Sequence, residues 1–128
     1  VPLDKVEAIY NYFCFDKYKS TAVKQIDDIS YPYILSVCSA VWHKNHQVLL
    51  ESFNELAKEN YDVHLVIVGS LNEKAVPFFN SIKEEVKKRI HFYKHISNED
   101  MAYLYTNAKC FVSASLLVPY FEYKLIIL

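Results

Sequence analysis

The sequence predicts an α/β fold with a parallel sheet between two layers of helices. Three observations carry that expectation. Short runs that are apolar almost throughout alternate with longer amphipathic runs. Strands of that kind are covered on both faces, and helical crossovers between them make the sheet parallel. The chain has 128 residues, 52% apolar and 23% charged, enough for one domain with a core of its own.

The elements follow in order. "YILSV" (33–37), after Pro32, is the first strand. Residues 45–59 are a helix, with Leu49, Leu50, Phe53 and Leu56 on one face and Glu51, Glu55 and Glu59 on the other. "HLVIVG" (64–69) is the second strand, closed by the only glycine. Residues 77–89 are helical, with "KEEVKKR" as a solvated end. "IHFY" (90–93) is the third strand. "SNEDMAYLYTNA" (97–108) is a helix with Ser97 as N-cap and Met101, Leu104 and Tyr105 turned inward. "CFVSAS" (110–115) is the fourth strand. Right-handed crossovers then give a Rossmann-like three-layer sandwich with strand order 3-2-1-4. Residues 1–32 form a lead-in, and residues 33–128 form the domain.

Composition narrows function. The net charge of −1 offers no basic excess, which argues against a nucleic-acid partner. The three cysteines, Cys14, Cys38 and Cys110, are widely spaced, without CxxC or Cys/His ligand spacing. They read as reduced, buried small hydrophobes, with no metal site. No stretch is long enough to span a bilayer, and "VPLDKVEAIY" carries charges where a signal peptide is apolar. The expectation is a cytoplasmic protein, at most peripheral to a membrane.

Ligands of such sheets bind at the carboxyl ends of the strands, where the strand order reverses. That places two lips, residues 38–45 and 116–122. "HKN" (43–45) falls in the first, where the helix begins. A helix N-terminus attracts anions, Lys44 adds a charge, His43 adds a donor and Asn45 is placed to cap. On these residues alone, a phosphate site and a capped helix start with a solvated lysine are both open.

The order of motifs along the chain resembles the C-terminal, donor-binding domain of family-4 (group 1) glycosyltransferases of the two-Rossmann, GT-B type. "DKVEAIYNYFCFDKYK" (4–19) is similar to the segment leading into that domain. "YILSVCSAVWHKNHQVLLESF" (33–53) resembles its strand, basic loop and helix. "VHLVIVGS" (63–70) resembles its second strand and glycine. "RIHFYKHISNEDMAYLYTNAKCFVSAS" (89–115) resembles its third strand, helix and fourth strand. The resemblance runs from about residue 3 to about residue 116. It implies transfer of a sugar from a UDP- or GDP-linked donor to a glycan or lipid acceptor, as in polysaccharide biosynthesis. It calls for no cofactor and no metal. The family lysine that faces the donor diphosphate maps onto Lys44. Its loop arginine maps onto Ser39. The glycine beside the nucleotide base maps onto Lys94, and Cys38 also stands where the family has glycine. By their positions, Asn45 at the helix start and His95 after the third strand complete the donor-binding set.

The resemblance ends after the fourth strand. The family's two donor-binding glutamates map onto Val118 and Ile126 in "SASLLVPYFEYKLIIL" (113–128). Glu122 is out of register with both. The truncated or diverged tail is strongly apolar, and it is expected to pack over the sheet edge or self-associate. The acceptor-binding N-terminal domain of such enzymes has no counterpart in these residues. Two functions therefore stand side by side. One is a donor-binding glycosyltransferase fragment, inactive alone and with no catalytic residue of its own. The other is a non-catalytic Rossmann-like module for a nucleotide or a protein. Of the remaining polar residues, His64 and His91 are expected to be structural. His46 is expected to face solvent and His95 to line the cleft. Tyr103 and Tyr105 read as packing. Ser113 and Ser115 lack the Gly-x-Ser-x-Gly elbow of a hydrolase.

Overall fold

The computed structural model describes residues 29–59 and 61–116. The apolar tail expectation falls on residues outside that set, as does most of the lead-in. Four strands form one sheet: β1 Tyr33–Cys38, β2 His64–Gly69, β3 Ile90–Tyr93 and β4 Cys110–Phe111. Their order is β3-β2-β1-β4, and every pairing is parallel. This is the expected Rossmann-like arrangement, with the reversal between β1 and β4.

The helices are α1 His46–Lys58, α2 Val76–Ser81, α3 Glu84–Lys87 and α4 Asn98–Asn107. The first three pack on one face of the sheet. There Leu49, Leu50 and Phe53 of α1 meet Leu65 and Ile67 of β2, together with Ala75, Ile82 and Ile90. On the other face Leu104 of α4 meets Tyr33, Leu35, Val66 and Val68. Residues alternate between faces along β1 and β2, so one strand serves both cores. Burial of each large side chain contributes about 1.5–3 kcal/mol, which makes the two apolar interfaces the main source of cohesion.

Local chemistry explains the ends of the elements. Ser97 Oγ accepts the Asp100 N–H at 3.0 Å and donates to Asp100 Oδ2 at 2.9 Å, so α4 starts where the cap pattern predicts. The Tyr33 hydroxyl donates to the Leu104 carbonyl at 2.8 Å and ties β1 to α4. His64 and His91 share a hydrogen bond of 2.8 Å between Nδ1 and Nε2, and the Tyr31 ring stacks on both. Burial holds both imidazoles below their usual basicity. The expected structural role of this pair is what the fold uses. Tyr103 and Tyr105 likewise pack against the second core.

Three elements differ from the sequence-based expectation. The helix expected over 77–89 is two helices, because Ile82 is extended (φ −65°, ψ 142°) and drops into the core at 5% exposure. Burying Ile82 requires the chain to turn there, and α3 restarts after Lys83. In the "KEEVKKR" stretch Glu84 and Glu85 are exposed, but Lys87 lies half-buried, bonded to the Asn80 carbonyl and to Glu84. The fourth strand, expected over 110–115, pairs only at Cys110 and Phe111. Val112 N–H still reaches the Leu35 carbonyl at 2.8 Å, and then the chain leaves the sheet. The Leu116 N–H bonds the His43 carbonyl at 2.7 Å, so the end of this segment is drawn to the loop after β1.

Gly69 closes β2 opposite Cys38 with φ +127°. A Cβ there would lie 1.8 Å from the Cys38 carbonyl oxygen. Only hydrogen fits between the two strands at this point. Gly69→Ala is expected to destabilise the domain by at least about 1–3 kcal/mol, the usual strain of a disfavoured backbone conformation, before the clash is added. A urea titration of both forms measures it, and equal midpoints would contradict the close approach.

Candidate functional site

The carboxyl end of β1, the start of α1 and the loop after β2 are joined by a buried imidazole. His46, the first residue of α1, is fully buried. This corrects the expectation of a solvent-facing histidine, which rests on its place at the start of an amphipathic helix. The structure turns it inward because three backbone segments converge there and leave polar groups in need of partners. Nδ1 accepts the Asn72 N–H at 3.0 Å. Nε2 lies 2.8 Å from Cys38 Sγ at the end of β1. The Asn72 side chain in turn accepts the Ala75 N–H at 3.0 Å and shapes the loop into α2.

These partners fix the tautomer. Nδ1 faces a donor, so the ring proton sits on Nε2 and is donated to the Cys38 sulfur. Burial pushes the Cys38 thiol up, against a Ser36 hydrogen bond and the Lys44 charge that pull it down. Burial pushes His46 down, and the Lys44 charge adds to this. Both groups are thereby held neutral. A cysteine nucleophile needs the imidazole to take the thiol proton, and here the accepting nitrogen faces away from the sulfur. The pair is a structural clamp and cannot act as a nucleophile–base dyad in this arrangement. Cys38 and Cys110 are both free thiols, half-buried.

Above the clamp lies the loop after β1. Trp42–Lys44 form a 3-10 turn, with the Lys44 N–H on the Val41 carbonyl at 3.1 Å. Lys44 is half-buried, and among the described residues no ion pair holds its ammonium. Its charge is close enough to act on both Cys38 and His46. Asn45, expected to cap α1 through its side chain, makes no such hydrogen bond. Its backbone is left-handed at φ 52° and ψ 47°, and its N–H bonds the Trp42 carbonyl. An asparagine tolerates that conformation better than most residues, and this links the turn to the helix. Ser39 is exposed, and its carbonyl accepts the Val41 N–H at 2.8 Å.

The expected donor-binding residues thus fall into two groups. Ser39, Lys44 and Asn45 share the loop after β1. Lys94 and His95 are exposed in the loop after β3. With β2 between them, β1 and β3 stand about 10 Å apart, two strand spacings. The two groups occupy the same end of the sheet and make no hydrogen bond or ion pair with one another. Facing the first group, the Leu116 N–H and the Ser115 hydroxyl (3.3 Å) both donate to the His43 carbonyl. Leu116, the described residue of the second lip, is therefore in direct contact with the first.

The family model for glycosyl transferases, group 1, matches residues 20–122. The chain belongs to this family. The match covers most of the chain and takes in every described element. It begins after the 4–19 segment and continues past residue 116, where the motif resemblance ends. No curated protein matches the chain. Membership associates this Rossmann-like domain with glycosyl transfer in general. No helix among the described residues is long and apolar enough to cross a membrane.

Sequence reasoning misses the Cys38–His46–Asn72 chain, because its members meet only through tertiary structure. It also passes over Trp42, the chain's single tryptophan, which is 61% exposed on the turn beside Lys44. An unpaired aromatic in a polar loop is the available signal.

The clamp sets a pH dependence. His46 binds a proton less readily in the fold than in the unfolded chain, where its pKa is about 6.5. Its contribution is therefore complete above pH 6.5 and is lost as pH falls below that value. His46→Gln should be less stable near neutral pH by about 1–3 kcal/mol, because a buried partner loses its bond. Its stability should also fall less steeply than wild type below pH 6.5. Denaturant midpoints across that range test both effects, and parallel curves would exclude His46 as the titrating group.

Proposed function

We propose that this domain holds the diphosphate of a nucleotide-sugar donor at the carboxyl end of β1, with Lys44 as the charged contact. The observation that carries the reading is an ammonium without an ion-pair partner among the described residues, half-buried two residues before the start of α1, at the strand-order reversal. α1 is thirteen residues long, and its first N–H groups add a partial positive charge. Family membership supports the reading, because glycosyl transfer requires a donor. By resemblance Lys44 occupies the place of the lysine that faces the diphosphate. UDP- and GDP-linked sugars are the proposed donors, and a glycan or lipid is the proposed acceptor.

Donor binding is proposed without turnover by residues 1–128 alone. By resemblance, Val118 and Ile126 stand where the family carries its two donor-binding glutamates. Valine and isoleucine cannot accept the hydroxyl hydrogen bonds of a ribose or a sugar. The same two residues favour a second reading, a Rossmann-like module that binds a nucleotide or a protein without catalysis. Both readings use Lys44, and they part on whether a sugar is transferred.

Calorimetry with UDP and GDP tests the anion site. Loss of one charge-assisted contact amounts to about 1.5–3 kcal/mol, so Lys44→Ala should weaken binding by about tenfold or more. Lys44→Arg should retain most of the affinity. Equal affinities for the wild type and Lys44→Ala would refute the assignment.

A further inference from the structure

Trp42 stands out on the exposed surface. It is 61% exposed, the most open of the large apolar side chains among the described residues. Among the described residues its one ring contact is with His43, with centroids 5.8 Å apart and planes at 88°. A single perpendicular neighbour engages at most one face of the indole, and the 61% exposure leaves the other open. Val41 and Leu116, at 39% and 56% exposure, lie on the same two lips, and Leu116 is fastened there by its bond to the His43 carbonyl. Leaving an indole in water forgoes the burial that its large area would contribute. Nothing in the described fold needs Trp42 to be there, since neither core includes it.

The position relative to Lys44 gives the exposure a use. Both residues belong to the turn Trp42–Lys44. At about three residues per turn and about 2 Å of rise per residue, their side chains leave the turn about 120° apart and about 4 Å apart along its axis. The ammonium and the indole therefore do not compete for the same space. A ligand anchored by phosphate on Lys44 would bring its attached rings beside the same short turn, where the indole is exposed. A nucleotide sugar carries such a ring on each side of its diphosphate: a planar base on one and a pyranose on the other.

We propose that Trp42 is a specificity-determining residue of the donor site, stacking its indole face on a ring tethered to the diphosphate held by Lys44. The inference rests on the donor-binding reading above and adds the recognition of the ring. Stacking of a base on an aromatic side chain is worth a factor of about five to a hundred in affinity. It tolerates many ring types, because the contact is to a face and not to an edge.

The single tryptophan makes the test direct, since all indole emission from the chain comes from Trp42. The 128-residue protein is titrated with pyrophosphate, UDP, GDP, UDP-glucose and GDP-mannose. Fluorescence and calorimetry are recorded for wild type, Trp42→Ala, Trp42→Phe and Lys44→Ala. Ring-bearing ligands should change the emission, and pyrophosphate should leave it nearly unchanged. Trp42→Ala should weaken the ring-bearing ligands by about fivefold or more, leave pyrophosphate unaffected, and be largely rescued by Trp42→Phe. An equal loss for the nucleotides and their sugar esters identifies the base as the stacked ring. A loss confined to the sugar esters identifies the pyranose. If Lys44-dependent binding is present but Trp42→Ala changes no affinity, the stacking proposal is overturned and the donor site stands. If no ligand binds in a Lys44-dependent way, the donor site fails and the stacking proposal fails with it.

Discussion

One buried imidazole organises the functional end of this domain. His46 accepts from the Asn72 backbone and donates to the Cys38 sulfur, so a strand end, a helix start and a second loop are joined through a single ring. Each of these segments would otherwise bury a polar group without a partner, which costs more than a hydrogen bond normally contributes. Because the ring must stay neutral to serve both partners, its burial and its chemistry are one constraint. The position of Lys44 follows from it. The turn that carries Lys44 is pinned at one end by the clamp and at the other by the His43 carbonyl, which the segment after β4 engages.

The fold is largely legible in the sequence, and the reasons are physical. Strands buried on both faces must be apolar throughout, so "YILSV" and "HLVIVG" stand out. Ser97 announces α4 because a cap needs an oxygen three residues before the N–H it satisfies, and Asp100 supplies that N–H. Local rules fail where a tertiary demand overrides them. Ile82 continues a helical pattern but is needed in the core, so the helix breaks. β4 has a strand-like run of six residues, yet only two pair.

The site is legible only in part. Lys44 can be found because a basic residue between an apolar run and an amphipathic one has a simple electrostatic meaning. His46 cannot, because nothing in a sequence says that a histidine on the first turn of a helix will meet a thiol eight residues earlier and a loop twenty-six residues later. Asn45 stands where expected but acts through different atoms. Its backbone makes the link between turn and helix, and its side chain does not cap. Lys94 and His95 share the end of the sheet with Lys44 but stand two strands away, a separation that spacing along the chain does not reveal.

The short fourth strand has a consequence for the order of assembly. β1 to β2 and β2 to β3 are joined by crossovers of similar, modest length, while β4 must return to β1 after three strands and four helices have been laid down. Closing that long loop costs chain entropy, and two paired residues repay little of it. The β1–β2–β3 unit can therefore form as a nucleus of local contacts, with β4 docking late. The amides of Lys109 and Val112, which bond the Tyr33 and Leu35 carbonyls, would then be among the first of the sheet to open to solvent exchange. Since the latch onto His43 follows β4 in the chain, local opening of β4 would free that lip while β1, β2 and the clamp remain folded.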